Sequence, residues 1–251
     1  MARTLTILSA LALLALTILM TLIGPTDVSG MPEGFVTPIV AFEFLRSPAE
    51  VYSLFAITLD STGTVAACQA LTSETSYRIS TLDAINQLDS AYILAYTAFI
   101  VFLGSLRFGS QSSKKAIVAV WLLAIVAMVF DILENIALLG ITEALRYCLV
   151  WSTQKNGPAI IENWVHLLIP FTHIKWAAIP AAFLFMSRAP QPEGRFALWM
   201  RKASIAFALL ALILLVAAVF YRPLAELMAL SVALCFLTGF LEAVFIKKAK
   251  H

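Results

Sequence analysis

Asp131, Glu134 and Asn135 stand inside the run Ala116 to Gly140, which is long and apolar enough to cross a bilayer. Offsets of three and four put the three side chains on one helical face. An ionisable residue at membrane depth costs about 2.5–3.5 kcal/mol on insertion scales, so it turns inward and takes a partner. Two acids and an amide on one stripe therefore mark the inside of a helical bundle. Lys175, in a later apolar run, is the cation available to them. The chemistry open to the set is proton exchange or the binding of a polar ligand. The plainer reading is a buried network in which Lys175 neutralises one acid.

Three further groups could share that interior. His166 and His173 are seven apart on one face, about 10 Å of rise, too far for both to bind one metal. They are read as bundle histidines or as a proton relay; a metal site with Asp131 or Glu134 is the weaker alternative, and no metal or cofactor is expected. Asp89, Tyr92 and Tyr96 form a stripe near a span start, where tyrosine also serves as an interface anchor. Ser231, Cys235, Thr238 and Glu242 recur at offsets of four, three and four and should face inward. No Walker loop, G-x-G-x-x-G, C-x-x-C, H-E-x-x-H or G-x-S-x-G occurs.

The elements that must position these groups follow from composition. The 251 residues are 61% hydrophobic and 13% charged, with mean hydropathy +0.91, against about 25% charged in soluble domains. The apolar residues come in blocks, which predicts an all-α integral membrane protein. Its expected form is one transmembrane domain over 1–251 with six helices, at about 5–23, 89–106, 116–140, 163–186, 203–220 and 224–246. A cleaved leader is the competing reading of the first run. The fifth run is apolar apart from Ser204 and reads as lipid-facing. The region 24–83 is too broken to span. Thr37 to Arg46 reads as one short helix, and Ser47-Pro48-Ala49-Glu50 as a capping box opening another over 48–59. Together they predict a helical extracytoplasmic cap. Thr72 to Ser76 reads as loop, and a helix resumes near Thr81.

Orientation follows from Lys and Arg in the short loops. The segments 107–115, 188–202 and 247–250 hold three, four and three of them, and the alternate segments are poorer for their length. This asymmetry predicts a multi-pass protein of the cell inner membrane with both termini cytoplasmic. Cys68 and Cys148 then share the extracytoplasmic side and could form a disulfide in an oxidising compartment. The net charge of +2 gives no footing for nucleic acid. The expected partners are membrane lipid and a small amphiphilic ligand.

Thr37-Pro-Ile-Val-Ala-Phe-Glu43, Asp89-Ser-Ala-Tyr92 and Asp131-Ile-Leu-Glu-Asn135 carry a resemblance. The chain resembles uncharacterised bacterial multi-spanning membrane proteins with a T-P-I-x-A-F-E stretch after the first span and a D-x-L-E-N motif in a later one. The likeness covers about the first two thirds. It implies a bacterial inner-membrane protein and adds no catalytic residue. The leading expectation is a carrier or sensor that binds a small or amphiphilic ligand in a polar cavity in the outer half of the bundle. The alternatives are an intramembrane enzyme acting on a lipid or isoprenoid, with Asp131 or Glu134 as acid/base, and a structural accessory subunit of a membrane complex.

Overall fold

The structure is a computed structural model that describes residues 1–25, 30–57, 72–109, 114–147 and 157–246. Among these residues it is all-helical. The α-helices are α1 (Ala2–Ile23), α2 (Pro38–Glu43), α3 (Pro48–Leu54), α4 (Ser73–Phe108), α5 (Lys114–Tyr147), α6 (Gly157–Phe185), α7 (Arg195–Phe220) and α8 (Leu224–Phe245). Six of them, all but α2 and α3, are long and apolar enough to cross a membrane. The chain is therefore a multi-pass membrane protein by length and composition.

Several helices outrun the sequence reading. α4 begins eight residues before Thr81, at Ser73, because Thr72 caps it: its hydroxyl oxygen accepts from the Thr75 amide at 3.1 Å. α5 continues past Gly140 to Tyr147, and α6 starts before Asn163 and runs unbroken through Pro170 and Pro180. α3 is shorter than expected. Its Ser47 cap accepts from the Glu50 amide at 3.4 Å, and the Glu50 carboxylate accepts from the Arg46 amide at 2.8 Å. It ends where Ala56 takes a left-handed φ of 54°. There the amides of Ala56 and Ile57 bond back to Ser53 and Tyr52, a Schellman stop.

The contacts divide the chain into two compact units. The first comprises Met1–Ile18, Ala91–Phe130 and His173–His251. Within it α7 and α8 pack together as a hairpin. The buried face of α7 is Ala197, Arg201, Ser204, Ala208, Ala211, Leu215 and Ala218, and that of α8 includes Ala225, Met228, Val232, Cys235, Gly239 and Glu242. Both recur at alternating steps of three and four, the 3.5-residue period of left-handed helix pairs. Most of these side chains on α7 are Ala or Ser, so close backbone approach and dispersion contacts replace the missing hydrophobic drive between helices in lipid. α7 is thus two-sided, with one packed face and one exposed row that includes Leu209, Ile213 and Val216. Gly239 admits α4: a Cβ there would meet Leu103 at 2.9 Å and Phe99 at 3.2 Å. Phe236 gathers Tyr96, Phe99 and Phe183 with ring centroids 5.4–6.4 Å away.

The second unit comprises Leu19–Ser90 and Asp131–Thr172. α2 and α3 form its centre. Ala41, Phe42, Leu45, Val51, Leu54 and Phe55 are 0–1% exposed, and Phe42 meets Phe55 edge-on at 5.4 Å. The Tyr52 phenol is pushed above the ordinary tyrosine range by burial. α4 is tied in by Arg78, whose guanidinium donates to the Leu54 carbonyl at 2.6 Å and pairs with Glu74. The T-P-I-V-A-F-E stretch is thus a packing element. Pro38 opens α2, and Val40, Ala41 and Phe42 are its buried face.

Gly140 sets the closest approach of α5 to α6, where a Cβ would meet the Trp164 indole at 2.5 Å. Gly140→Ala is expected to destabilise the protein by about 1–3 kcal/mol through overpacking. The check is a lowered unfolding midpoint in detergent relative to the parent protein.

Candidate functional site

Among the described residues each unit carries a set of buried polar groups. The first is centred on Glu242, which is 0% exposed. Its Oε2 accepts from Arg107 Nη2 at 2.7 Å and Nε at 3.1 Å. Its Oε1 accepts from Arg201 Nη2 at 2.7 Å and Nε at 2.8 Å. Both guanidinium groups present the two-donor edge that fits a carboxylate. Further donors of the two guanidinium groups are used as well. Arg107 Nη2 reaches Ser204 Oγ at 3.4 Å, and Arg201 Nη1 donates to the carbonyls of Ala189 and Pro190. Beside the triad, Arg3 donates to the last carbonyls of α8, Ala243 at 2.9 Å and Val244 at 2.6 Å. Ser231 and Thr238, on the same stripe as Glu242, bond back to their own helix. Every bond of the triad is internal, so its chemistry is that of a structural clamp.

Arg107 and Arg201 are corrections to the sequence reading, which placed both in loops. Arg107 is the penultimate residue of α4, and Arg201 lies in the second turn of α7. Each is 4% exposed. The signal available was the depth of Glu242, an acid near the end of its span that matches basic residues at the ends of two others.

The second set lies in the other unit. Asp131 is 3% exposed, Glu134 0% and Asn135 9%. Asn135 Nδ2 donates to Asp89 Oδ2 at 2.7 Å, which brings together two of the expected residues. The Thr172 hydroxyl lies 2.6 Å from Glu134 Oε1 and 3.1 Å from the Glu43 carbonyl. One hydroxyl proton serves one acceptor at a time, and the carboxylate is the nearer. Two turns before Asp89, Asp83 accepts from Arg146 Nη2 at 2.5 Å. Between these pairs stands Asn86.

Asp83 and Asn86 were not anticipated, because α4 was expected to enter the membrane only near Asp89. They are 5% and 6% exposed. Among the described residues, Asp83 Oδ1 and Asn86 Nδ2 have no hydrogen-bond partner. One is an acceptor and the other a donor, three residues apart on one helical face, about 4.5 Å along the axis. A buried polar atom left in that state costs about 1–3 kcal/mol.

The other expected residues are placed as follows. His166 is exposed on α6, with Nε2 3.7 Å from Glu162 Oε1 one turn earlier. His173 and Lys175 belong to the first unit; Lys175 is 5% exposed, with its ammonium 5.1 Å from the Trp176 ring centroid. Tyr92 and Tyr96 meet edge-on at 6.1 Å. Cys68 and Cys148 lie outside the described residues. Among those residues, no three His, Cys, Asp or Glu side chains converge in a way that could hold a metal ion. Comparison with protein-family models, curated proteins and solved structures finds no match to this chain.

Removing one member of the triad leaves buried charge unpaired. Glu242→Gln is expected to cost about 3–5 kcal/mol, whereas joint replacement by Arg107→Met, Glu242→Leu and Arg201→Met recovers most of that loss. Unfolding midpoints of the single and triple variants in detergent are the measurement. A single variant as stable as the parent would show that the clamp contributes little.

Proposed function

We propose that this chain is an inner-membrane protein that binds a small or amphiphilic ligand through the buried polar groups of its second unit. Asp83 and Asn86 carry the reading: a donor and an acceptor, both in nine-tenths-buried side chains, are left without partners among the described residues one turn apart. Folding selects against such atoms unless something uses them. A hydroxyl or amide group satisfies both at once, accepting from Asn86 Nδ2 and donating to Asp83 Oδ1. The Arg146–Asp83 and Asn135–Asp89 pairs flank the position, and they hold the two groups in place. Asp131 and Glu134 add buried acid in the same unit. Carriage or sensing of the ligand is the activity this arrangement supports best.

The second reading, a structural subunit, draws on the same pairs. Asp83, Asp89 and Glu134 each already have a bonded partner. Asn86→Leu separates the two. A ligand site loses its co-purifying small molecule, seen by native mass spectrometry of the purified protein, and is not stabilised. A purely structural amide leaves the bound mass unchanged, and the leucine variant is then more stable because an unsatisfied group has gone.

In this proposal the second unit faces away from the cytoplasm, α2 and α3 form a cap, and both termini are cytoplasmic. The support is charge asymmetry. Arg107 and Arg201 leave the tally because they are buried, and so does Arg78 on the opposite side. Lys114, Lys115, Arg188, Arg195 and Lys202 still support a cytoplasmic reading of two inter-helix ends. Reporter fusions should read cytoplasmic after Gly109 and extracytoplasmic after Tyr147. The reverse pattern would overturn the orientation without touching the ligand reading.

A further inference from the structure

The first unit carries a groove of about 200 Å³ that none of its charged groups enters. Leu14 and Ala10 of α1 form one wall, and Ala233, Phe236 and Phe240 of α8 form the other. Tyr92 of α4 closes one end. The register of the walls is fixed by Arg3 on Ala243 and Val244, which sets α1 antiparallel to α8. Thr17 also lines the groove, but its hydroxyl is spent on the Leu13 carbonyl at 2.9 Å, so it offers a methyl group. The lining is hydrocarbon and aromatic carbon almost throughout.

We propose that this groove seats one acyl chain of a bilayer phospholipid. Three observations select that occupant. All three helices that build the groove are long and apolar enough to span a membrane, so the medium against their outer faces is lipid chain. The size fits a chain: at about 30 Å³ per water-sized group, the volume takes on the order of seven methylenes. A helix about 10 Å across cannot enter it. The length agrees as well, since Ala10 to Thr17 is about 10 Å of helix. Here the short side chains of Ala10 and Ala233 line the groove together with Leu11, Leu14 and Leu237, which are 47%, 57% and 49% exposed. A chain in this slot touches protein on both sides and gains dispersion contacts that a chain on an open ridge lacks. The assignment is independent of Asp83 and Asn86, because no residue is shared.

The test is photo-cross-linking in nanodiscs made with a phosphatidylcholine that carries a diazirine on one acyl chain, with adducts mapped by mass spectrometry. The expected result is preferential labelling of Leu14, Ala233 and Leu237 over the exposed α5 face at Leu122, Ile125 and Val129. Ala233→Phe should cut groove labelling by about tenfold, the equivalent of roughly two methylenes losing contact, while α5 labelling holds. Ala10→Leu, on the outer wall, serves if the phenylalanine variant fails to fold. Even labelling of both faces would overturn the proposal. So would a dimer in native mass spectrometry whose contacts protect this groove, because the occupant would then be a second copy.

Discussion

Hydrocarbon offers no partner to a charge, and the Glu242 triad is the clearest consequence of that constraint in this protein. The two oxygens of one carboxylate are divided between two guanidinium groups, at 2.7 Å from the nearest nitrogen of each. A pair alone would leave part of the carboxylate desolvated and unbonded. The triad leaves nothing over on the acid, and the spare guanidinium donors go to Ser204 and the carbonyls of Ala189 and Pro190. Such a set adds little net stability over packed hydrocarbon, yet it is intolerant of misregister. Sliding α8 by one residue past α4 or α7 would move the carboxylate by 100° around its axis and break all four bonds to the arginines. The small-residue seam between α7 and α8 is permissive, since alanines can interlock in several registers. The triad chooses among them, and Arg3 extends the choice to α1.

The second unit answers the same constraint by distributing its polar groups. Asp83 has Arg146, Asp89 has Asn135, and Glu134 has Thr172. Each bond is local to two helices or to one helix and the α2 segment. Arg146 keeps about half of its side chain in the open. The partners in these three bonds are a half-exposed guanidinium, an amide and a hydroxyl. Its apolar centre, by contrast, is tightly filled by Phe42, Leu45, Leu54 and Phe55. Rigid packing around a polar face is how a protein holds polar atoms in fixed positions.

The long helices were legible because a bilayer imposes length, and length survives in the sequence as uninterrupted apolar runs. Their ends were not, because helices continue into polar sequence wherever a cap allows. Thr72 with Thr75 is a short-range signal that the serine- and threonine-rich tract from 72 to 76 disguised as loop. The inward stripe ending in Glu242 was visible from its spacing alone. Its partners were not: Arg107 is 135 residues away and Arg201 is 41. A basic residue at a span end looks the same whether it reaches headgroups or turns inward. The link between Asp89 and Asn135 was within reach of periodicity, since both lie on polar stripes. Asn86 was not, because an amide on a helix thought to lie outside the membrane carries no penalty and draws no notice.

Charge density is therefore a poor guide to function in this chain. By composition the triad is the most polar point of the first unit, two guanidinium groups and a carboxylate at 4% exposure or less. It is also chemically closed, because every strong acceptor already faces a strong donor, and a ligand could enter only by breaking a charged bond worth more than it could return. The uncharged amide of Asn86 is a weaker group, but its Nδ2 is unspent among the described residues. A site needs bonding capacity in hand, not bonding capacity in total. On that criterion the face of α4 that carries Asp83 and Asn86 outranks the triad, and it outranks the exposed Glu162–His166 pair, whose groups water already satisfies.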